Sequence, residues 1–170
     1  MRWHYTTVIS LHTILQDRFL EPSPLYDNNS PAELIADSAN ERPVLWFTSS
    51  PKWEETANKA LRNPSRNLDR EGTLEYFGLA RIGVSEDYPL ERFLQITRKS
   101  RQKKRLTNRL IKTAVEVGSN PYGNWWGTFE RVYEKDWNIV QIYSAEKSEW
   151  EDFSDLRLSE AIDRLTKELK

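Results

Sequence analysis

The sequence predicts an α+β fold: a central mixed or antiparallel sheet of about five strands, flanked by four to five helices. Three observations carry this. Short segments rich in aromatic and β-branched residues recur along the chain, at 2–7, 44–48, 74–84, 127–133 and 138–144. Helical periodicity separates them, clearest in the tail, where Leu158, Ile162, Leu165 and Leu169 fall in register. No repeat or low-complexity stretch interrupts the pattern. At 170 residues the chain fits one domain, 1–170, with a full core.

The opening stretch organises the rest. Arg2-Trp3-His4-Tyr5-Thr6-Thr7 reads as a strand that stops at hydroxyl residues and hands over to a helix, with Val8, Leu11, Leu15 and Phe19 at helical spacing. A regular strand puts Arg2, His4 and Thr6 on one face and Trp3 and Tyr5 on the other. The segment 22–42 holds Pro22, Pro24, Asn28, Asn29, Ser30 and Pro31, so it reads as a lid loop over a cleft, with room for one or two helical turns at 32–39. Val44-Leu45-Trp46-Phe47-Thr48 then repeats the opening design. Ser50 is a good N-cap and Pro51 suits a first helical position, which predicts a helix over 51–61 with Glu54 and Glu55 in its first turn.

Residues 74–84 alternate and read as a strand, with Gly78 marking a bulge or close approach. From 89 to 117 two apolar helical faces are separated by 97–105, which has no apolar residue, so two helices with an exposed joint are expected. The cluster at 118–124 is a turn. Two strands, at 127–133 and 138–144, precede the amphipathic tail.

Composition narrows the chemistry. Hydrophobic residues make up 38% and charged ones 30%, and seven Trp, seven Tyr and six Phe supply much of the apolar area, so the chain is globular but polar. With no cysteine there is no disulfide framework, thiolate nucleophile or cysteine-based metal site. No run is long enough to span a bilayer and the start lacks a signal-peptide pattern, so the expected setting is cytoplasmic, away from membranes. His4 and His12 are the only histidines and their spacing does not suit a metal. Walker, dinucleotide-fingerprint and nucleophile-elbow motifs are all missing.

Four groups of residues carry candidate chemistry. His4 sits beside Arg2 and two hydroxyl residues on a strand that can present a polar group at every second position. A lone histidine of this kind is usually only hydrogen-bonded and half-buried. Trp46-Phe47-Thr48-Ser49 offers rings to stack on a planar ligand and amides at a helix start for an anion, against the plainer reading of a buried strand and a cap. Glu130, in Trp125-Trp126-Gly127-Thr128-Phe129-Glu130, is either a solvent-facing strand residue or a carboxylate set among aromatics, able to stabilise positive charge at an anomeric carbon. Finally, 98–105 gathers Arg98, Lys99, Arg101, Lys103, Lys104 and Arg105 without an acid, with Arg109 and Lys112 beyond. Such a run is most often a solvated face. On a chain of net charge -1 it is also a footprint for phosphate or nucleic acid, by backbone contact since no aromatics are interleaved.

Trp3-His4-Tyr5-Thr6 followed by an amphipathic helix resembles the start of the ADP-ribosyltransferase fold. The stretch Leu45-Trp46-Phe47-Thr48-Ser49-Ser50-Pro51 with Trp53-Glu54-Glu55-Thr56-Ala57-Asn58-Lys59 looks like that of small bacterial and phage proteins of unknown function that open in the same way. It is also similar to the aromatic and Ser-Thr-Ser-like element of the arginine-type transferases. The resemblance implies NAD as substrate, with Arg2, His4, Tyr5, Thr6, Trp46, Phe47, Thr48 and Ser49 around it. His4 and Glu130 are then the catalytic residues. The implied reaction cleaves the nicotinamide–ribose bond and passes ADP-ribose to a protein, a nucleic acid or water. This sequence departs from the pattern in its Thr48-Ser49-Ser50 triplet, in offering both Arg2 and His4, and in having no clear Glu-x-Glu at Glu130. The alternative is a non-catalytic module that contacts nucleic acid or an acidic protein through 98–112.

Overall fold

A computed structural model describes residues 1–24, 40–62 and 65–168. Most of the expected lid loop and the expected helical turns at 32–39 lie outside the described residues. The first strand, β1 (Arg2–Thr7), ends where Thr7 turns to cap α1 (Val8–Asp17), its Oγ1 accepting from the Ser10 amide at 3.0 Å. Arg18 closes the helix in a left-handed conformation. A two-residue β2 (Phe19–Leu20) follows, then β3 (Leu45–Thr48) and the short hairpin β4 (Ala60–Arg62) and β5 (Ser65–Asn67). Next come α2 (Arg70–Phe77), β6 (Leu79–Val84), β7 (Glu91–Arg92), α3 (Phe93–Lys99), α4 (Lys104–Glu116), α5 (Pro121–Asn124) and β8 (Trp125–Thr128). The chain ends with β9 (Val132–Tyr133), β10 (Ile139–Ser144), β11 (Glu149–Asp152) and α6 (Asp155–Glu168).

Seven strands form one sheet in the order β11-β10-β6-β1-β3-β8-β7, every neighbouring pair antiparallel. The α+β class is as the sequence predicts, and the sheet is larger than the five strands expected because β7 and β11 are too short or too polar to read. Every residue of β6 is buried, as befits the strand next to β1 near the centre of the sheet. One face packs Leu45, Phe47, Ile82, Val84 and Ile142 against Val8 and Leu11 of α1 and Leu158 and Leu165 of α6. The other carries Trp3, Tyr5 and Leu79 under Trp53, and Phe93, Ala114 and Trp125 from α3, α4 and β8. Among the described residues no helix is long and apolar enough to cross a membrane.

Three local expectations are corrected. Residues 74–77 belong to a helix rather than a strand, since Asp69 caps α2 by accepting from Gly72 N at 2.8 Å. Gly78 is therefore the end of a helix and not a bulge. It sits at φ +64, and a Cβ there would lie 2.6 Å from Val8 Cγ2, so glycine is required twice over. The strand expected over 127–133 is two strands in different sheets, β8 and β9, separated by a bend at Phe129 and Glu130.

The third correction shapes the site. The helix expected over 51–61 is absent; the chain bends, makes one 3-10 turn over Glu55–Ala57 and enters β4. An α-helix there would need the carbonyls of Ser50, Pro51 and Lys52 to accept from amides four residues on. Each instead accepts from a side chain distant in sequence. Tyr5 Oη donates to Ser50 O at 2.7 Å, Arg81 Nη1 donates to Pro51 O, and Trp150 Nε1 donates to Lys52 O at 3.0 Å. Tertiary bonds override a good local helix signal.

Candidate functional site

Two strand pairings set the floor of a cavity. Trp3 stands opposite Thr48, and Thr48 opposite Trp125, so all three side chains share a face, with Tyr5 and Trp46 beside them. The loop after β3 folds over this floor and brings Glu54, Thr56 and Ala57, while α4 contributes Leu110. Parts of His4 and Phe47 complete the wall. The cavity measures about 180 Å3. A dry cavity of about 150 Å3 takes one benzene, so this space suits a single planar ring and not a whole dinucleotide.

Its distinctive group is Glu54, only 7% exposed. Oε2 accepts from Thr48 Oγ1 at 3.0 Å, and Oε1 accepts from Thr56 Oγ1 at 3.0 Å and from Ser119 Oγ. Trp125 Nε1 in turn donates to Ser119 Oγ at 3.1 Å, which fixes that hydroxyl. Among the described residues no cation pairs with Glu54; hydroxyl dipoles hold it instead. A carboxylate offers about four acceptor positions. Three are used, which leaves one for a donor or a positive charge in the cavity.

Arg81 builds the rest of the support. It is 7% exposed, its guanidinium lies 3.9 Å from the Trp3 ring centre and 4.3 Å from that of Trp150, and Nε donates to Gln141 Oε1 at 2.8 Å. Together with its bond to Pro51 O, this clamps the loop that delivers Glu54. Burial pushes the Tyr5 hydroxyl up to about 12, so it stays protonated and keeps its hold on Ser50. Arg81→Met keeps the apolar stem and removes the clamp. A loss of roughly 1.5–3 kcal/mol in urea unfolding is expected, the range for a hydrogen bond made by a charged group. An unchanged midpoint would show that the loop is held without Arg81.

His4 lies at a split in the sheet. Strands β1 and β3 pair at a single register position, Trp3 with Thr48, and beyond it the imidazole takes over. Nδ1 bonds Trp46 O at 3.0 Å and the ring packs 5.8 Å from Phe47. Burial lowers its pKa to about 4, against the opposing pull of the Trp46 carbonyl. At neutral pH the ring is uncharged, and since a carbonyl can only accept, Nδ1 carries the proton and Nε2 is an acceptor.

The expected site residues are thus divided. Tyr5, Trp46 and Thr48 line the cavity with their side chains. His4 and Phe47 only border it, since their side chains, like those of Arg2 and Thr6, belong to the opposite face, where the Arg2 guanidinium lies 4.1 Å from the Trp126 ring centre. Ser49 is tied to the turn before β8, its amide donating to Asn124 O at 2.9 Å. Glu130 is exposed on the bend beyond β8 and does not line the cavity, because its strand ends at Thr128. The anion site expected at a helix start after Ser50 falls with that helix. Arg98, Lys99, Arg101, Lys103, Lys104 and Arg105 are all exposed at the corner joining α3 and α4.

Glu54, Ser119, Leu110 and Arg81 escaped the sequence reading. Glu54 was masked by its fit to a helical first turn, and no local signal links it to Ser119, 65 residues away. No protein-family model, curated protein or solved structure matches the chain.

Proposed function

We propose that the protein binds NAD and cleaves its nicotinamide–ribose bond, as an ADP-ribosyltransferase-like enzyme, with the nicotinamide ring in the cavity and Glu54 as the carboxylate at the reacting centre. The observation that carries this reading is Glu54 itself: one buried carboxylate, with an acceptor position to spare, in the wall of an aromatic cavity of single-ring size.

The chemistry needs those features. Nicotinamide in NAD is a cationic ring, and aromatic faces such as Trp3, Trp46 and Trp125 attract it. As the C–N bond breaks, the bonding pair leaves with nicotinamide, which becomes neutral. Positive charge then develops on the anomeric carbon and its ring oxygen. A fixed carboxylate stabilises that charge without reorganising. An acceptor oxygen or nitrogen, or water, bonds to the anomeric carbon and releases its proton to solvent. The role the sequence suggested for Glu130 is assigned here to Glu54, and Thr48 acts through it.

The test is incubation with NAD, alone and with cell lysate, followed by measurement of free nicotinamide, alongside a thermal shift with NAD. Nicotinamide release and a raised melting temperature are expected. Neither effect at millimolar NAD would sink the reading.

A further inference from the structure

We infer that the corner between α3 and α4 binds the phosphate backbone of a nucleic acid and holds it beside the cavity. The binding surface stands on its own observations; that the bound polymer is the acceptor for ADP-ribose rests on the NAD reading above.

Between Glu91 and Glu116 the chain has no acidic residue and many cations, on a protein whose net charge is -1. The structure sorts those cations. Lys99 pairs with Glu91 and Lys112 with Glu116. Arg98, Arg101, Lys104 and Arg109 are exposed and have no ion pair among the described residues. One carboxylate is also tied into the corner: Glu41 accepts from Gln102 Nε2 at 2.8 Å.

The backbone beneath this charge is firmly held. Ser100 is 1% exposed; its Oγ donates to Thr97 O at 2.8 Å, its amide donates to Ile96 O at 2.8 Å, and its carbonyl accepts from Arg42 N at 2.8 Å. Gln102 also accepts from Thr107 Oγ1 at 2.9 Å. Arg101 is kept at φ 61, a conformation non-glycine residues rarely adopt. Fixing the backbone lowers the entropy lost when the side chains engage a ligand.

Two further facts choose the partner. From 98 to 105 no residue is apolar, so the patch lacks the hydrophobic centre that a protein interface uses. Charge alone, without interleaved aromatics, fits sequence-independent contact with phosphates. The same helix that carries Arg109 places Leu110 in the cavity wall, and Ser119 just beyond its end bonds Glu54. Arg109 adjoins Leu110 in the middle of α4, so a strand held along α4 runs beside the cavity wall.

The experiment measures fluorescence anisotropy of short labelled single-stranded DNA and RNA, without NAD, from about 50 to 200 mM salt. With four phosphates neutralised, log affinity should fall against log salt with a slope of roughly -3. The double variant Arg101→Gln/Arg109→Gln should weaken binding and make the slope shallower by about 1.4. Arg101→Lys/Arg109→Lys should restore the slope, since backbone contact needs charge and not a planar fork. No binding at the lowest salt, or a slope the Gln variant leaves unchanged, would overturn the inference. Binding without nicotinamide release keeps this surface and removes the NAD reading; release without binding does the reverse.

Discussion

Glu54→Gln should lower the rate of nicotinamide release by roughly 10²–10³-fold, the loss seen when one fixed electrostatic contact to a transition state is removed. The substitution keeps size and shape. Thr48, Thr56 and Ser119 each carry a hydroxyl that can donate or accept, so their bonds to the side chain can re-form around an amide. The fold should survive and the melting temperature change little. What goes is the negative charge facing the developing cation. Glu130→Gln, measured in parallel, should keep its activity because that side chain is exposed outside the cavity. If Glu130→Gln is the dead variant and Glu54→Gln is active, the two carboxylates exchange roles and the cavity is not the reacting centre.

The contrast between those two glutamates shows what the sequence could and could not convey. Local patterns were legible where local forces decide. The alternation of β1, the break between α3 and α4 and the stripe of α6 all follow from side-chain spacing. Which face of β1 and β3 meets the cavity was not legible: the sequence named candidates on both faces, and the side chains of Tyr5, Trp46 and Thr48 are on the cavity side while His4 and Thr6 are on the other. Reading failed where distant groups outbid the local ones. Ser50, Pro51 and Lys52 make a fair helix start until Tyr5, Arg81 and Trp150 claim their carbonyls. Glu54 belongs to that same overridden segment, so the error in secondary structure and the missed site residue have one cause. At 74–77 the apolar alternation was real, but the Asp69 cap outweighed it.

The largest pH effect is expected from His4. Its folded pKa, about 4, lies below the unfolded value of 6.5. The unfolded chain therefore binds a proton more readily, and stability rises with pH across that window. Acidifying from 6.5 towards 4 should remove up to about 3 kcal/mol, at roughly 1.4 kcal/mol for each unit between the two values. Glu41 works the other way. Burial raises its carboxyl to about 6 from 4.5, so the folded state takes up a proton first and gains relative stability as pH falls through that narrower range. A wild-type profile alone would mix the two. Urea unfolding of wild type and His4→Gln across pH 7 to 4.5 separates them, because Glu41 is common to both. The variant should be clearly less stable at pH 7, where it loses the fitted ring between β1 and β3, and the gap should narrow as the histidine of the unfolded wild-type chain takes up its proton. A gap that stays constant would mean that His4 titrates alike in both states. The imidazole would then tolerate a proton at the split in the sheet, and its neutral form would not be what holds the Trp46 carbonyl.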